Sequence, residues 1–152
     1  MPAIHDSDSF SIGGVAARTG LSVHALRFYE RENLMVSPVQ RTSGGRRIYT
    51  QTDVDWLTIC TKLRASGMPL ASLQTFADLV RQGPGNEHQR LDLLRSHQAR
   101  VQAQLDALTE CLDLITWKVA VYEEHVATDT AEGLWDPAAT SAADARDQRT
   151  AS

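Results

Sequence analysis

The sequence predicts an all-α chain, with four short helices gathered around a small hairpin and then one long helix that needs a partner. Three observations predict it. Polar caps and glycine or proline stops punctuate the first half at short intervals. One stretch there, "LMVSPVQRTSGGRRIYT", breaks the helical pattern. Between Leu91 and Val126, apolar residues recur at alternating spacings of three and four.

The elements follow in order. Residues 1–9 are polar and read as a disordered N-terminus. Ser11 can cap "IGGVAART", which places Ile12, Val15 and Ala16 on one face, and Gly20 breaks it. Ser22 can cap a second helix, with Val23, Leu26 and Tyr29 or Glu30 following at helical spacing. Two short helices joined by a glycine-containing turn outline a helix-turn-helix. Pro38 then opposes helix, Gly44 and Gly45 mark a turn, and "RRIYT" is strand-like. The stretch reads as a hairpin with arginines on both arms. Thr52 is the expected cap of the third helix, with Trp56, Ile59, Cys60 and Leu63 as its apolar stripe, and Gly67 ends it. Pro69 suits the first turn of the fourth, which turns Leu70, Leu73, Phe76 and Val80 inward before the "GPG" stop at residues 83–85.

The long helix carries an a/d heptad seam made of Leu91, Leu94, Gln98, Val101, Leu105, Leu108, Leu112, Ile115, Val119, Tyr122 and Val126. So narrow a seam needs a second helix. No other long heptad segment exists in the chain, so the expected partner is the same helix of another copy, in a homodimer. Gln98 is the polar exception and is expected to fix register. These readings give boundaries of 1–9 for the N-terminus, 10–83 for a winged helix-turn-helix domain, 84–127 for a dimerisation helix, and 128–152 for a partly disordered tail. In the tail, Leu134 and Trp135 of "GLWDP" are the residues able to dock.

At 152 residues, 42% hydrophobic and 22% charged, the composition is globular. The net charge of −4 hides an asymmetry: residues 10–81 carry +4 and residues 82–152 carry −6. A basic front can face a polyanion while an acidic rear stays off it. Cys60 and Cys111 lie far apart and outside any CxxC pair, which favours neither a zinc site nor a disulfide framework. The N-terminus lacks the pattern of a secretory signal and no stretch has the length of a membrane span, so a cytoplasmic protein is expected. No nucleophile–base pair, carboxylate pair or phosphate loop is readable, and no enzyme activity, cofactor or metal is expected.

The segment "FSIGGVAARTGLSVHALRFYERENLMVSPVQRTSGGRRIYTQTDVDWL" is similar to the DNA-binding domain of the MerR family of bacterial transcription regulators. The similarity continues through "LRASGMPLASLQTF" and the long helix, over residues 10–126. It rests on the helix-turn-helix, the "LRFYE" recognition helix, the R-x-x-x-G-x-R-x-Y wing from Arg41 to Tyr49 and the "GMPL" turn, all in order.

The resemblance implies that the second helix enters the major groove of double-stranded DNA. Arg27 would then grip a base edge or a phosphate, with Ser22 and His24 beside it at the helix start. Tyr29 would reach a phosphate through its hydroxyl, and Arg18 is a further phosphate candidate. Arg41, Arg46, Arg47 and Tyr49 of the wing would contact the backbone. The long helices would pair as an antiparallel coiled coil. Such dimers bind a palindrome between over-spaced promoter elements and bend and untwist it for RNA polymerase, at an elastic cost of roughly 1–6 kcal/mol.

The chain departs from several branches of the family. No cysteine follows Cys111, unlike the metal and iron–sulfur sensors, and Lys62 occupies the place of the reactive cysteine in the thiol-stress branch. His88, His97 and His125 read as polar helix positions without ligand spacing. With no room for an appended ligand domain, a small organic effector would sit among Phe76, Trp117 and Trp135. Two alternatives stay open: a coiled-coil adaptor that has lost DNA binding, and a thiol sensor using Cys60 or Cys111.

Overall fold

Serines in extended backbone open the first two helices. The Gly14 N–H donates to Ser11 Oγ at 3.1 Å, and the Ala25 N–H donates to Ser22 Oγ at 3.0 Å. Each bond satisfies an amide that the first helical turn leaves free. The computed structural model describes residues 9–130 and Leu134. Among these, the order is β1 (Ser9–Ser11), α1 (Ile12–Thr19), α2 (Val23–Arg31), β2 (Gln40–Arg41), β3 (Arg47–Thr50), α3 (Gln51–Ala65), α4 (Leu70–Arg81) and α5 (Glu87–Ala127). The chain divides into two units, Met1–Ala103 and Gln104–Ser152.

The first unit holds the sheet and the core. Gly20 closes α1 at φ 75°, a conformation that costs glycine nothing, and its N–H bonds the Ala16 carbonyl. α2 ends at Arg31 with Glu32 as its C-cap, and Asn33 follows at φ 56°. Arg81 of α4 then donates to the carbonyls of Asn33 and Met35 at 2.6 and 2.8 Å, which ties the exit of α2 to the fourth helix. The hairpin is present: β2 pairs antiparallel with β3, Gln40 opposite Ile48 and Arg41 opposite Arg47. Gly45, at φ 82°, makes its turn.

Two expectations are corrected here. A third strand, β1, pairs antiparallel with the other edge of β3, with Ser9 opposite Thr50, so Ser9 belongs to the sheet rather than to a disordered terminus. The cap of α3 is Thr50, not Thr52. The Asp53 N–H donates to Thr50 Oγ1 at 3.2 Å, and the Thr50 N–H donates to Asp53 Oδ2 at 2.8 Å, a reciprocal capping box. Thr50→Ala should therefore lower stability by about 1 kcal/mol, and Thr52→Ala should not, as read from urea midpoints.

The core joins all four short helices through Val15, Leu26, Leu57, Cys60, Met68 and Leu73, all essentially inaccessible. Trp56 stacks on Phe76 with ring centroids 5.7 Å apart and donates its indole N–H to the Leu34 carbonyl at 2.8 Å. On α3, Leu57 takes the inward place expected of Ile59, which is 49% exposed. The start of α5 belongs to this unit as well. Leu93 packs against the core and His97, expected on the surface, is only 7% exposed.

In the second unit α5 continues to Ala127, where His125 Nδ1 lies 2.8 Å from the Thr130 carbonyl. Its seam residues Leu105, Leu108, Leu112 and Ile115 are between 56% and 67% exposed. Leu114, Ile115, Val119, Tyr122 and Val126 line an open apolar groove of about 510 Å³. Trp135 and the rest of the tail after Leu134 lie outside the described residues, as do residues 1–8.

Candidate nucleic-acid interface

α2 presents two faces. Leu26 and Tyr29 turn into the core, which leaves His24 and Arg27, three residues apart, on the exposed side. Arg31 also stays outside, with its guanidinium 5.8 Å from the Phe28 ring centre. The helix thus offers solvent a cationic face on a rigid, capped element.

The hairpin brings further arginines to the same region. Arg27, Arg46 and Arg47 line a cleft of about 280 Å³ together with Ser11, Ile12 and Gly45. Among the described residues, Arg27 and Arg46 make no ion pair, so both guanidinium groups are available to an anion. Arg18, exposed in the last turn of α1, lies with its guanidinium 4.3 Å from the Phe10 ring centre, which holds it at this surface.

Glu30 organises the wing, and sequence reasoning missed its role. Its carboxylate accepts from Arg41 at 3.1 Å and from Arg47 at 2.5 Å, and Arg41 also donates to the Gly45 carbonyl at 3.2 Å. The hydrogen bond to Glu30 raises the Arg47 pKa above its ordinary value. Glu30 therefore locks the hairpin onto α2 and partly neutralises two of the wing arginines. The signal in the sequence was a glutamate on the recognition helix, but its partners lie 11 and 17 positions away.

Two expected phosphate contacts are corrected. Tyr49 is fully buried, and its hydroxyl has neither solvent nor a hydrogen-bond partner. Burial first, and then the nearby Glu30 carboxylate, raise its pKa, so it is a neutral core residue of β3 itself. Tyr29 is 6% exposed and meets Phe28 edge-on, with ring centroids 6.3 Å apart. Its ring fills the core behind the recognition face. Ser22 is exposed, with its oxygen engaged as the cap of α2.

Phe76 is consumed by the core of the first unit, Trp117 is a half-exposed residue of the second with Lys118 beside its ring, and Trp135 lies outside the described residues. Cys60 is fully buried, and burial pushes its thiol up to about 12. It is therefore protonated, and a poor nucleophile, throughout the neutral range. Cys111 is exposed. Thiol titration of the native protein at pH 7.5 should label Cys111 quickly and Cys60 only after denaturant is added. Rapid labelling of both would reopen Cys60 as a sensor.

A capped two-helix turn, an exposed cationic second helix and an arginine-bearing hairpin locked to it are the parts of a helix-turn-helix regulator. Comparison with known proteins agrees. Residues 10–79 match the family described as MerR HTH family regulatory protein. An uncharacterized HTH-type transcriptional regulator of Haemophilus influenzae is 29% identical over 126 residues, covering 83% of this chain and 93% of that protein. The HTH-type transcriptional regulator YfmP of Bacillus subtilis is 34% identical over 116 residues, covering 74% and 81% respectively. The crystal structure of HiNmlR, a MerR family regulator lacking the sensor domain, bound to promoter DNA, superposes with a TM-score of 0.75 at 29% identity, over 85% of this chain and 97% of that one. The chain belongs to the MerR family of helix-turn-helix transcriptional regulators. No helix among the described residues is long and apolar enough to cross a membrane.

Proposed function

We propose that the protein acts as a homodimer that binds a palindromic promoter operator and distorts it so as to control RNA polymerase, in the cytoplasm and on the nucleoid. The observation that carries this reading is the cleft where Arg27 of α2 and Arg46 of the hairpin both present unpaired guanidinium groups. One side chain lies on an element of the right width for the major groove, and the other lies on a loop suited to the backbone. HiNmlR, similar over most of its length, is bound to promoter DNA.

The dimer follows from α5. A helix with this much exposed leucine and isoleucine is not a stable free surface, and an antiparallel copy would cover its seam. Two copies supply the two half-sites of a palindrome. Arg18, His24, Arg27 and Arg46 are assigned to DNA, with Arg41 and Arg47 acting chiefly to hold the wing.

Footprinting of the full chain across its own genome tests the reading. A two-fold symmetric protected site with altered reactivity at its centre is expected, because untwisted DNA exposes its central steps. Its affinity should fall steeply as salt rises. Binding to DNA that is absent, or insensitive to salt, would instead favour a protein-binding adaptor.

A further inference from the structure

The hairpin carries a conflict in its own ladder. β2 and β3 pair over two rungs only, Gln40 opposite Ile48 and Arg41 opposite Arg47. The second rung sets two guanidinium groups directly across from each other. Like charges in that arrangement push antiparallel strands apart. So short a ladder has little else to hold it closed.

Glu30 resolves the conflict from outside the hairpin. It stands in the last turn of α2, and its carboxylate is divided between the two strands. Oε1 accepts from Arg41 and Oε2 accepts from Arg47. The Glu30 and Arg47 side chains are only 25% and 24% exposed, so water and salt screen this pair less than an open surface pair. Arg41 passes the constraint on to the turn, where it donates to the carbonyl of Gly45, the residue before Arg46. Arg27 lies three residues before Glu30, one turn back on the same helix. One carboxylate therefore ties the helix that bears Arg27 to the turn that bears Arg46.

Two consequences for DNA follow, and they have opposite signs. The spacing between α2 and the wing is set before DNA arrives, so a duplex that fits it has less ordering to overcome. Arg41 and Arg47 are also occupied, so a stray phosphate reaches them only by displacing the carboxylate and meeting its charge. Non-specific affinity, which follows the number of phosphates neutralised, is thereby held down.

We propose that Glu30 is a specificity-determining residue of this interface: it fixes the wing at the spacing the operator fits and withholds Arg41 and Arg47 from other duplex. It acts through the arginines, as a positioning residue, and needs no contact with DNA. The proposal rests on the operator-binding reading above.

The test is titration of the full-length chain and its Glu30→Gln variant on the footprinted operator and on random duplex, at several salt concentrations. The variant should bind random duplex at least about threefold more tightly, with a salt dependence steeper by about one ion per arginine released. Operator affinity should fall by about threefold or more, so the operator-to-random ratio drops by at least about tenfold. A residue that only supported the fold would weaken both duplexes alike, and one that only carried charge would tighten both alike. Either result would overturn the proposal. Hydrogen exchange without DNA gives the second readout. The Thr42 N–H, bonded to the Arg46 carbonyl at 2.8 Å, should exchange faster in the variant, while the Trp56 indole N–H stays protected. An unchanged Thr42 rate would also overturn it. Glu30→Asp keeps the charge but is one methylene too short to span both arginines. It should lose operator affinity and speed Thr42 exchange, and parent-like behaviour on both counts would count against the proposal even if Glu30→Gln failed to fold. A parent that does not prefer its operator to random duplex sinks the operator-binding reading and this inference with it. A parent that does, with the ratio unchanged in both variants, sinks this inference alone.

Discussion

Leu108→Asp is expected to leave the protein monomeric and to remove operator binding at concentrations where the parent saturates its site. Leu108 sits mid-seam on α5 in the second unit and is 67% exposed in the single chain, so it is no part of the buried core cluster. The variant should keep its fold, with the Trp56–Phe76 stack and the four short helices intact. In an antiparallel pair, however, each copy would bury an unpaired carboxylate among leucines, at a cost of several kcal/mol. That is comparable to the whole stability of a modest dimer. Sedimentation should show monomers, and circular dichroism should show loss of helix, because a long helix without its partner frays. DNA affinity should collapse, since one half-site alone holds half the contacts. A variant that stays fully dimeric would remove Leu108, and with it the assigned register, from the interface. Leu105→Asp is the independent check one turn away.

How much of this was legible in the sequence depended on how local the deciding interaction was. The caps Ser11 and Ser22 act within their own helix turns and were readable. Thr50 and Thr52 illustrate the limit. Both are followed three residues later by aspartate, Asp53 and Asp55, so the capping-box pattern fits two frames. Tertiary packing selects the first. β3 ends at Thr50 as it pairs with β1, and burial of Val54 and Leu57 sets the helix phase. The same phase puts Ile59 outside and Leu57 inside. Strand β1 is only three residues long and exists because β3 offers an edge, which no local pattern announces.

The candidate interface was legible in outline and misread in chemistry. Arg27 and Arg46 are exposed and line one cleft, and their role on DNA is the proposal made above. Tyr29 and Tyr49 looked like phosphate contacts because a tyrosine carries both a hydroxyl and a large apolar ring, and sequence does not say which is used. In each case the ring serves the core. Glu30 was hidden because its partners come from the hairpin, and His97 because a polar residue on a polar helix reads as surface. His97 and Leu93, four residues apart, in fact form a second face of α5 against its own domain, beside the seam positions Leu91 and Leu94.

Arg27→Ala and Arg46→Ala should fail in different ways. Arg27 projects from the rigid face of α2, three residues beyond His24, with no carboxylate to compete for its guanidinium. If it grips a base edge, each lost contact costs about 1–3 kcal/mol of discrimination. A symmetric dimer loses two, so the operator should weaken by about 2–6 kcal/mol while random duplex weakens far less. Arg46 rides on the hairpin turn, where Thr42 Oγ1 accepts from its backbone N–H at 3.2 Å and leaves the side chain to reach outward. If from this loop it meets phosphate, Arg46→Ala should weaken operator and random DNA alike. It should also reduce the salt dependence by about one ion per lost contact, hence about two per dimer. Arg47 is the poorer probe, because its removal also frees Glu30, which then repels phosphate. Titrations of parent and variants on both duplexes at several salt concentrations separate the cases. Equal losses on operator and random DNA for Arg27→Ala would move that residue to the backbone, and recognition would then have to rest on His24 and on the deformability of the operator itself.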